Sequence, residues 1–148
     1  MEIRRSLPKD ACEIALMEGE IFTDAWSEDD ILGVICTEGS MCYTALSENI
    51  PIAYIIGRKI SPEGEIYRIA TRPEYRRRGI AYRLLDYAVK CERGDGVENI
   101  FLEVREQNLP ARKLYTAYGF KECGMRKNYY KNPSDNAIIM LLGEQSGF

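Results

Sequence analysis

The stretch Ile69-Ala70-Thr71-Arg72-Pro73-Glu74-Tyr75-Arg76-Arg77-Arg78-Gly79-Ile80-Ala81 decides the fold, because it joins an apolar strand to a helix through a basic turn. The residues Glu65–Ala70 predict the strand. From Ile80 onward the apolar residues recur at helical spacing and predict the helix. They are Ile80, Ala81, Leu84, Leu85, Ala88 and Val89. Arg93–Gly96 ends that helix, so the stretch predicts a strand–turn–helix unit.

The turn has the composition of an anion-binding site, with Arg76, Arg77 and Arg78 before Gly79 and a small residue at Ala81. A helix N-terminus leaves about four backbone N–H groups unpaired and carries a partial positive charge. Glycine permits close approach of a ligand, and arginine adds charge-assisted hydrogen bonds to phosphate. The turn therefore predicts a phosphate or diphosphate site. By themselves these residues leave a solvated arginine loop open as the alternative, and they match neither a P-loop nor a dinucleotide fingerprint.

The rest of the chain predicts a mixed fold, α/β or α+β, in one domain over residues 1–148. The other predicted strands are Ile3–Ser6, Met41–Leu46, Ile52–Ile56, Asn99–Arg105, Phe120–Tyr129 and Ala137–Leu142. Further helices are predicted to begin near Pro8 and after Ser27 and Asn108. Pro62–Gly64 predicts a turn. The nearly continuous apolar run of Ala137–Leu142 predicts a strand that is buried on both faces.

The composition argues against several classes of function. Net charge is −3 and the sequence pI is near 5.2, which disfavours a dedicated nucleic-acid binder. No run of about 18 apolar residues is present, so we expect no membrane-spanning helix. The first residues, Met1–Arg5, lack the apolar core of a signal peptide. We therefore expect a cytoplasmic protein with neither a membrane nor a nucleic acid as its partner.

The histidine and cysteine content restricts the chemistry. Because the chain has no histidine, Ser-His-Asp and Cys-His catalysis and His-ligated metals are excluded in their usual forms. Five widely spaced cysteines without a CxxC pair disfavour disulfides and structural zinc, and most of them are expected to fill small apolar holes. They are Cys12, Cys36, Cys42, Cys91 and Cys123. We predict no metal, and a general base must be a carboxylate, lysine, tyrosine, cysteine or relayed water.

Four segments of the chain together carry a family resemblance. They are Pro73–Ala81, Ala25-Trp26-Ser27, Phe101–Arg105 with Asn108, and Arg126–Tyr130 followed by Ala137–Met140. In this order and spacing the chain resembles the GNAT family of N-acetyltransferases. The signature of that family is Arg/Gln-x-x-Gly-x-Gly/Ala between the fourth strand and the third helix. The likeness spans nearly the whole chain, so it is far more specific than any single motif.

The resemblance implies a mostly antiparallel central sheet with a splayed parallel strand pair and about four flanking helices. It also implies acetyl-CoA as co-substrate, lying between Glu65–Thr71 and Asn99–Arg105. The main chain of β-strand residues before the turn would pair with the pantetheine arm, and the turn would hold the pyrophosphate. The implied cofactor-binding residues are Ile69, Ala70, Thr71, Arg76, Arg77, Arg78, Gly79, Ile80, Ala81, Tyr82 and Asn108. For Asn108 a plain helix N-cap is the alternative role.

Two residues are candidates for catalysis. Strand alternation places Glu103 on the face opposite Leu102, and a carboxylate in so apolar a run fits a general base acting directly or through a water. The alternative for Glu103 is a salt bridge to Arg105 or another cation. The resemblance implies Tyr115 as the acid near the sulfur of CoA. The alternative for Tyr115 is an aromatic core residue.

The acceptor is predicted from aromatic residues and from the family resemblance. Trp26, Tyr129 and Tyr130 are candidates for the acceptor cleft, with ordinary core packing as the alternative. The resemblance favours the α-amine of a protein N-terminus, in particular an alanine-starting ribosomal protein of the small subunit. An α-amine has a pKa of about 8, whereas lysine at about 10.4 costs more to deprotonate. Acetylation of lysine side chains or a small-molecule amine, and a non-enzymatic acyl-CoA-binding module, remain alternatives.

Overall fold

The computed structural model describes residues 1–143, and residues 144–148 of the predicted domain lie outside the described part. The strands are β1 (Glu2–Arg5), β2 (Tyr43–Ser47), β3 (Ile50–Ile60), β4 (Glu63–Thr71), β5 (Asn99–Arg105), β6 (Lys121–Tyr130) and β7 (Asp135–Leu142). The helices are α1 (Ala11–Ile21), α2 (Glu28–Ile35), α3 (Ile80–Gly94) and α4 (Leu109–Tyr118). Short 3-10 turns at Pro8–Asp10 and Pro73–Tyr75 precede α1 and the basic turn.

All seven strands form one sheet in the order β1-β2-β3-β4-β5-β7-β6. β4 and β5 run parallel, and the other neighbouring pairs are antiparallel. The mixed fold class and the implied GNAT architecture are therefore confirmed.

The parallel pairing of β4 with β5 is short. It runs from Glu63↔Asn99 to Ile66↔Leu102, although β4 continues to Thr71 and β5 continues to Arg105. Beyond Ile66 the two strands separate, so the sheet opens at its middle. The expected splayed pair is confirmed.

Each face of the sheet has its own apolar core. α3 buries Leu84 and Leu85 in a cluster that also contains Ile66 and Tyr115. α1 and α2 cover the opposite face over β3, where Ala70 joins their cluster. These apolar stripes recur at helical spacing, so packing on the sheet stabilises the helices more than local propensity does.

A β-bulge interrupts β4 where it separates from β5. Ile56 pairs with Arg68 but the next residue, Gly57, pairs with Ile66, so Tyr67 is the extra residue. A Cβ on Gly57 would lie 2.6 Å from the carbonyl oxygen of Glu65, which makes glycine necessary opposite the bulge. The bulge reverses the alternation: Ile66 faces α3, whereas Ala70, an even number of residues later, faces α1.

Some predictions of local structure are wrong. The predicted turn at Pro62–Gly64 is shorter, since β4 already begins at Glu63. β7 is not fully buried on both faces: Ala137, Ile138 and Met140 are buried, whereas Ile139, Leu141 and Leu142 are half-buried. The reason is that α1 and α2 pack mainly on β3, so they cover β7 less completely.

The expectation that most cysteines fill apolar holes is also wrong. Cys42 is buried and Cys91 is half-buried, but Cys12, Cys36 and Cys123 are exposed. The exposed cysteines lie on outward-facing positions of α1, of the end of α2 and of the edge strand β6. Cysteine content alone could not distinguish these positions from buried ones.

Candidate active site

The basic turn leads into the start of α3, where several backbone N–H groups are unpaired. Arg77 and Gly79 have positive φ values of 64° and 75°. The first N–H of the helix to donate within it is that of Arg83, to the carbonyl of Gly79 at 3.1 Å. The N–H groups of Ile80, Ala81 and Tyr82 therefore have no helical acceptor. A Cβ at Gly79 would meet no protein atom within 4 Å, so this turn faces open space suited to an anion.

The three arginines of the turn have different surroundings. Arg76 donates from Nε to the carbonyl of Thr71 at 3.2 Å, which ties the turn to the end of β4. Arg78 donates to the carbonyl of Glu74 and lies over the ring of Tyr75. Arg76 and Arg77 line the adjoining cavity, and Arg78 is not part of its lining.

A cavity of about 890 Å³ lies between the turn, the end of β4 and the start of α4. It is called the donor cavity because it is lined by residues predicted for the cofactor. Its lining includes every residue that the resemblance implies for the cofactor except Arg78. Those residues are Ile69, Ala70, Thr71, Arg76, Arg77, Gly79, Ile80, Ala81, Tyr82 and Asn108. Asn108 also caps α4, because its side-chain oxygen accepts from the N–H of Ala111 at 3.3 Å.

The end of β4 presents an unpaired backbone edge to this cavity. Arg72 donates its N–H to Ile52 of β3 at 2.8 Å. Since successive backbone groups of a strand point to opposite edges, Ile69 and Thr71 direct theirs away from β3, toward β5. The ladder to β5 has ended at Ile66, so the two N–H groups and the carbonyl of Ile69 are available to an extended ligand. The carbonyl of Thr71 already accepts from Nε of Arg76. Ala70, by contrast, points its N–H toward β3.

A second cavity of about 530 Å³ adjoins the first. It is called the acceptor-side cavity because it is lined by Tyr130, one of the predicted acceptor residues. The two share lining residues, among them Phe22, Ile69 and Asn108, so they form one continuous cleft. Glu103 and Tyr115 both line the acceptor-side cavity. The two predicted catalytic residues, which come from β5 and α4, are therefore brought to the same cleft.

The two carboxylate oxygens of Glu103 have different surroundings. Oε1 lies 3.3 Å from Nε of Arg126. Oε2 is buried without a hydrogen-bond partner, and within residues 1–143 no other side-chain oxygen or nitrogen shares that condition. Arg105 is not the cation beside Glu103, because it donates to the carbonyls of Lys131 and Pro133. Glu103 therefore makes the alternative salt bridge through one oxygen and keeps the other unpaired.

Tyr115 is both a core residue and part of the cleft. Its side chain is buried, and its ring packs edge-on against Phe120 with centroids 5.6 Å apart. Burial raises the pKa of its phenol above the ordinary value.

Among the three predicted acceptor residues, Tyr130 lines the acceptor-side cavity. Burial, and then the charge of Glu103, raise the pKa of Tyr130 to about 12. Tyr129 is exposed and packs against Tyr130, and Trp26 packs against the ring of Tyr67 at 5.8 Å. Neither Tyr129 nor Trp26 is part of the cavity lining.

Sequence reasoning missed several residues of the cleft. Arg68 and Phe22 line the acceptor-side cavity, and Glu18 is the buried partner of Arg68. Glu65 lies near Glu103 on the same sheet face; burial, and then the charge of Glu103, raise its pKa. A glutamate within the apolar stripe of α1 was a signal that a buried cation faces it.

Within residues 1–143 no group of histidine, cysteine, aspartate or glutamate side chains could hold a metal ion. In the same range no helix is both long enough and apolar enough to cross a bilayer.

A helix start with free N–H groups, an unpaired strand edge and a carboxylate on one cleft fit an acetyltransferase of mixed α/β fold. The chain belongs to the acetyltransferase (GNAT) family, whose family model matches residues 7–120.

Two curated relatives and one solved structure illustrate the likeness. The chain is 35% identical over 94 residues to the [ribosomal protein bS18]-alanine N-acetyltransferase of Haemophilus ducreyi, covering 62% of this chain but only 65% of that protein. It is 29% identical over 141 residues to the putative [ribosomal protein bS18]-alanine N-acetyltransferase of Bacillus subtilis, covering 95% and 93% of the two chains. The crystal structure of the ribosomal-protein-S18-alanine N-acetyltransferase from Escherichia coli superposes with a TM-score of 0.90 at 27% identity, covering 99% of this chain and 96% of that one.

Proposed function

We propose that this protein transfers the acetyl group of acetyl-CoA to the N-terminal α-amine of a protein, with an alanine-starting ribosomal protein as the acceptor. The observation that carries the proposal is the shared cleft of Glu103 and Tyr115 beside the unpaired edge of β4. The names of the relatives support the choice of acceptor. Such an acceptor also agrees with a cytoplasmic enzyme.

The donor site is proposed along the whole cleft. The N–H groups of Ile80, Ala81 and Tyr82 are oriented as donors for the pyrophosphate, and Arg76 and Arg77 add positive charge beside them. Ile69 and Thr71 offer backbone groups to the amides of the pantetheine arm. Acetyl-CoA supplies an activated thioester at the point where β4 and β5 separate.

Glu103 is proposed as the general base. An α-amine with a pKa of about 8 is mostly protonated at neutral pH and must lose a proton before it attacks the thioester. The unpaired Oε2 of Glu103 is an acceptor for that proton, directly or through a water. Arg126 offsets the charge of the carboxylate through Oε1.

Tyr115 is proposed as the group that stabilises the departing thiolate. Proton transfer from an ordinary phenol to a thiolate is uphill by roughly 2 kcal/mol, from pKa values of about 10 and 8.5. Because burial raises the pKa of Tyr115, complete transfer is still less favourable. Its hydroxyl therefore acts mainly as a hydrogen-bond donor to the sulfur.

A peptide assay tests this proposal. The protein is incubated with acetyl-CoA and peptides that begin Ala-Arg, Met or Ser, and with N-terminally blocked peptides that carry lysine. Free CoA and product mass are measured. We expect turnover on the Ala-Arg peptide. Turnover restricted to lysine side chains would replace the acceptor assignment, and CoA binding without turnover on any amine would exclude an enzyme.

A further inference from the structure

The loop between α1 and α2, residues 22–27, forms one wall of the acceptor-side cavity through Phe22, Thr23 and Asp24. Thr23 and Asp24 do not line the donor cavity. The position of this wall therefore affects the acceptor more directly than it affects acetyl-CoA. A completely buried glutamate and a partly buried arginine hold it against the sheet.

Glu18, near the end of α1, is completely buried and contacts both the loop and the sheet. Its carboxylate accepts from the backbone N–H of Trp26 at 3.0 Å and from the hydroxyl of Tyr54 on β3. It also accepts from Nε and Nη2 of Arg68, each at 3.1 Å. The end of the loop and the sheet thus share one carboxylate.

Arg68 extends this contact to the beginning of the loop. Its Nη2 donates to the carbonyl of Asp24 at 3.0 Å, and its guanidinium carbon lies 3.8 Å from the centre of the Phe22 ring. The side chain is 14% exposed and Glu18 is completely buried, so the contact between them is largely shielded from solvent. The contact with Asp24 lies at the surface. One planar guanidinium therefore fixes Glu18, Phe22 and Asp24 at once, which a single-nitrogen cation could not do.

The bulge at Tyr67 makes this arrangement possible. Regular alternation would place Arg68 on the same face as Ile66, toward α3. The extra residue reverses the alternation, so Arg68 joins Ala70 on the face of α1. The bulge lies where β4 separates from β5, so one irregularity both ends the parallel ladder and directs Arg68 under the loop.

We infer that Arg68 is a positioning residue for the acceptor, which sets the wall of Phe22–Asp24 at the distance that the acceptor peptide requires. The inference rests on the proposed function, because it assigns the acceptor-side cavity to the peptide. If the residue at position 68 keeps its contact with Glu18 but loses the one with Asp24, the loop can move away from the sheet.

The test compares two identical substitutions, Arg68→Lys and Arg5→Lys. Arg5 also joins a completely buried glutamate to an exposed aspartate, since it contacts Glu92 at 3.2 Å and Asp95 at 2.9 Å. This second cluster lines neither cavity of the cleft. Both variants keep the positive charge, so neither leaves a buried carboxylate without a counter-ion.

For Arg68→Lys we expect the KM for the Ala-Arg peptide to rise by about 10-fold, which corresponds to the loss of about one charge-assisted hydrogen bond. The KM for acetyl-CoA and kcat should change much less. Arg5→Lys should leave all three constants as they are in the parent protein. A peptide KM in Arg68→Lys equal to that of Arg5→Lys would overturn the inference.

A second measurement does not depend on turnover. Trp26 is the single tryptophan of the chain and belongs to the loop, so its fluorescence reports on the loop alone. Acrylamide should quench Trp26 more strongly in Arg68→Lys than in the parent protein, and equally in Arg5→Lys and the parent. Unchanged quenching in Arg68→Lys would refute the positioning role. Stronger quenching in Arg68→Lys, together with no peptide turnover by the parent protein, would support the contact of Arg68 with the loop and refute the proposed function instead.

Discussion

Glu103, the proposed base, has an ion pair at one carboxylate oxygen and no partner at the other. The ion pair of Oε1 with Arg126 places a positive charge beside the carboxylate in a partly buried position, where its side chain is 25% exposed. A buried polar atom without a partner is costly, and such atoms are concentrated at functional sites. The unpaired Oε2 is therefore better explained by an incoming amine or water than by packing.

Glu103→Gln should lower kcat/KM for the Ala-Arg peptide by roughly 100-fold at pH 7, because a general base contributes about 10²–10⁴-fold. Raising the pH toward 9 should restore part of the rate, since the α-amine then loses its proton without help. The measurement is a pH–rate profile of the variant beside that of the parent protein.

Glu122→Gln is the matched control, because Glu122 lies on β6, pairs with Arg112 and lines neither cavity of the cleft. Its profile should follow that of the parent protein. A profile of Glu103→Gln with the parental shape would remove Glu103 as the base.

Tyr115→Phe should lower kcat by about 10-fold or more, because the departing thiolate loses a donor in a partly dry site. Phenylalanine keeps the ring that packs on Phe120, so removal of the hydroxyl should change the free energy of unfolding by less than about 1 kcal/mol. Steady-state kinetics and urea denaturation measure the two effects.

Tyr118→Phe, on the same helix, should show the opposite pattern. The hydroxyl of Tyr118 donates to Asp86 at 2.8 Å, and Tyr118 lines neither cavity of the cleft. Its loss should lower stability slightly and leave kcat unchanged. Equal kcat values for the two variants would contradict a catalytic role for Tyr115.

At the scale of elements, Gly79 has a positive φ value at the start of α3, where the pyrophosphate of CoA is proposed to bind. Gly79→Ala should weaken binding of CoA by about 10-fold, because a non-glycine residue at positive φ costs about 1 kcal/mol or more and its methyl group would occupy the ligand space. Isothermal titration with CoA measures the affinity.

Gly19→Ala in α1 is the control for this substitution. A Cβ at Gly19 also meets no atom within 4 Å, but the residue is helical. We expect the affinity for CoA to be unchanged and the free energy of unfolding to rise by about 0.5–1 kcal/mol. Equal affinities of both variants for CoA would exclude close approach of the ligand at Gly79.

The elements themselves were largely predictable, because helical periodicity and the caps at Ser27 and Asn108 are local signals. The meeting of Glu103 with Tyr115 followed from the family resemblance and not from periodicity. The bulge at Tyr67 was not predictable, since strand reasoning assumes strict alternation. Under that assumption Arg68 would point toward α3, so its contact with the loop between α1 and α2 could not be predicted either.

At the scale of the whole molecule, the sheet consists of two blocks, β1–β4 and β5-β7-β6, joined by one short parallel ladder. That ladder has four residue pairs, Glu63↔Asn99 to Ile66↔Leu102. The opening beyond it is where the donor cavity reaches the sheet. A ligand there would replace the missing ladder, so binding should stabilise the two blocks against separation.

Hydrogen exchange at single residues tests this coupling. Ile69 and Thr71 direct their N–H groups into the opening, whereas Ala70 between them pairs with β3, so one strand contains both probe and control. At 100 times its dissociation constant, CoA should slow exchange at Ile69 and Thr71 by roughly 100-fold, corresponding to about 2.7 kcal/mol, if these amides open only in the unliganded protein. Exchange at Ala70 should already be slow without CoA. If CoA protects all three amides equally, it stabilises the sheet as a whole and does not act as the strand that β4 and β5 lack.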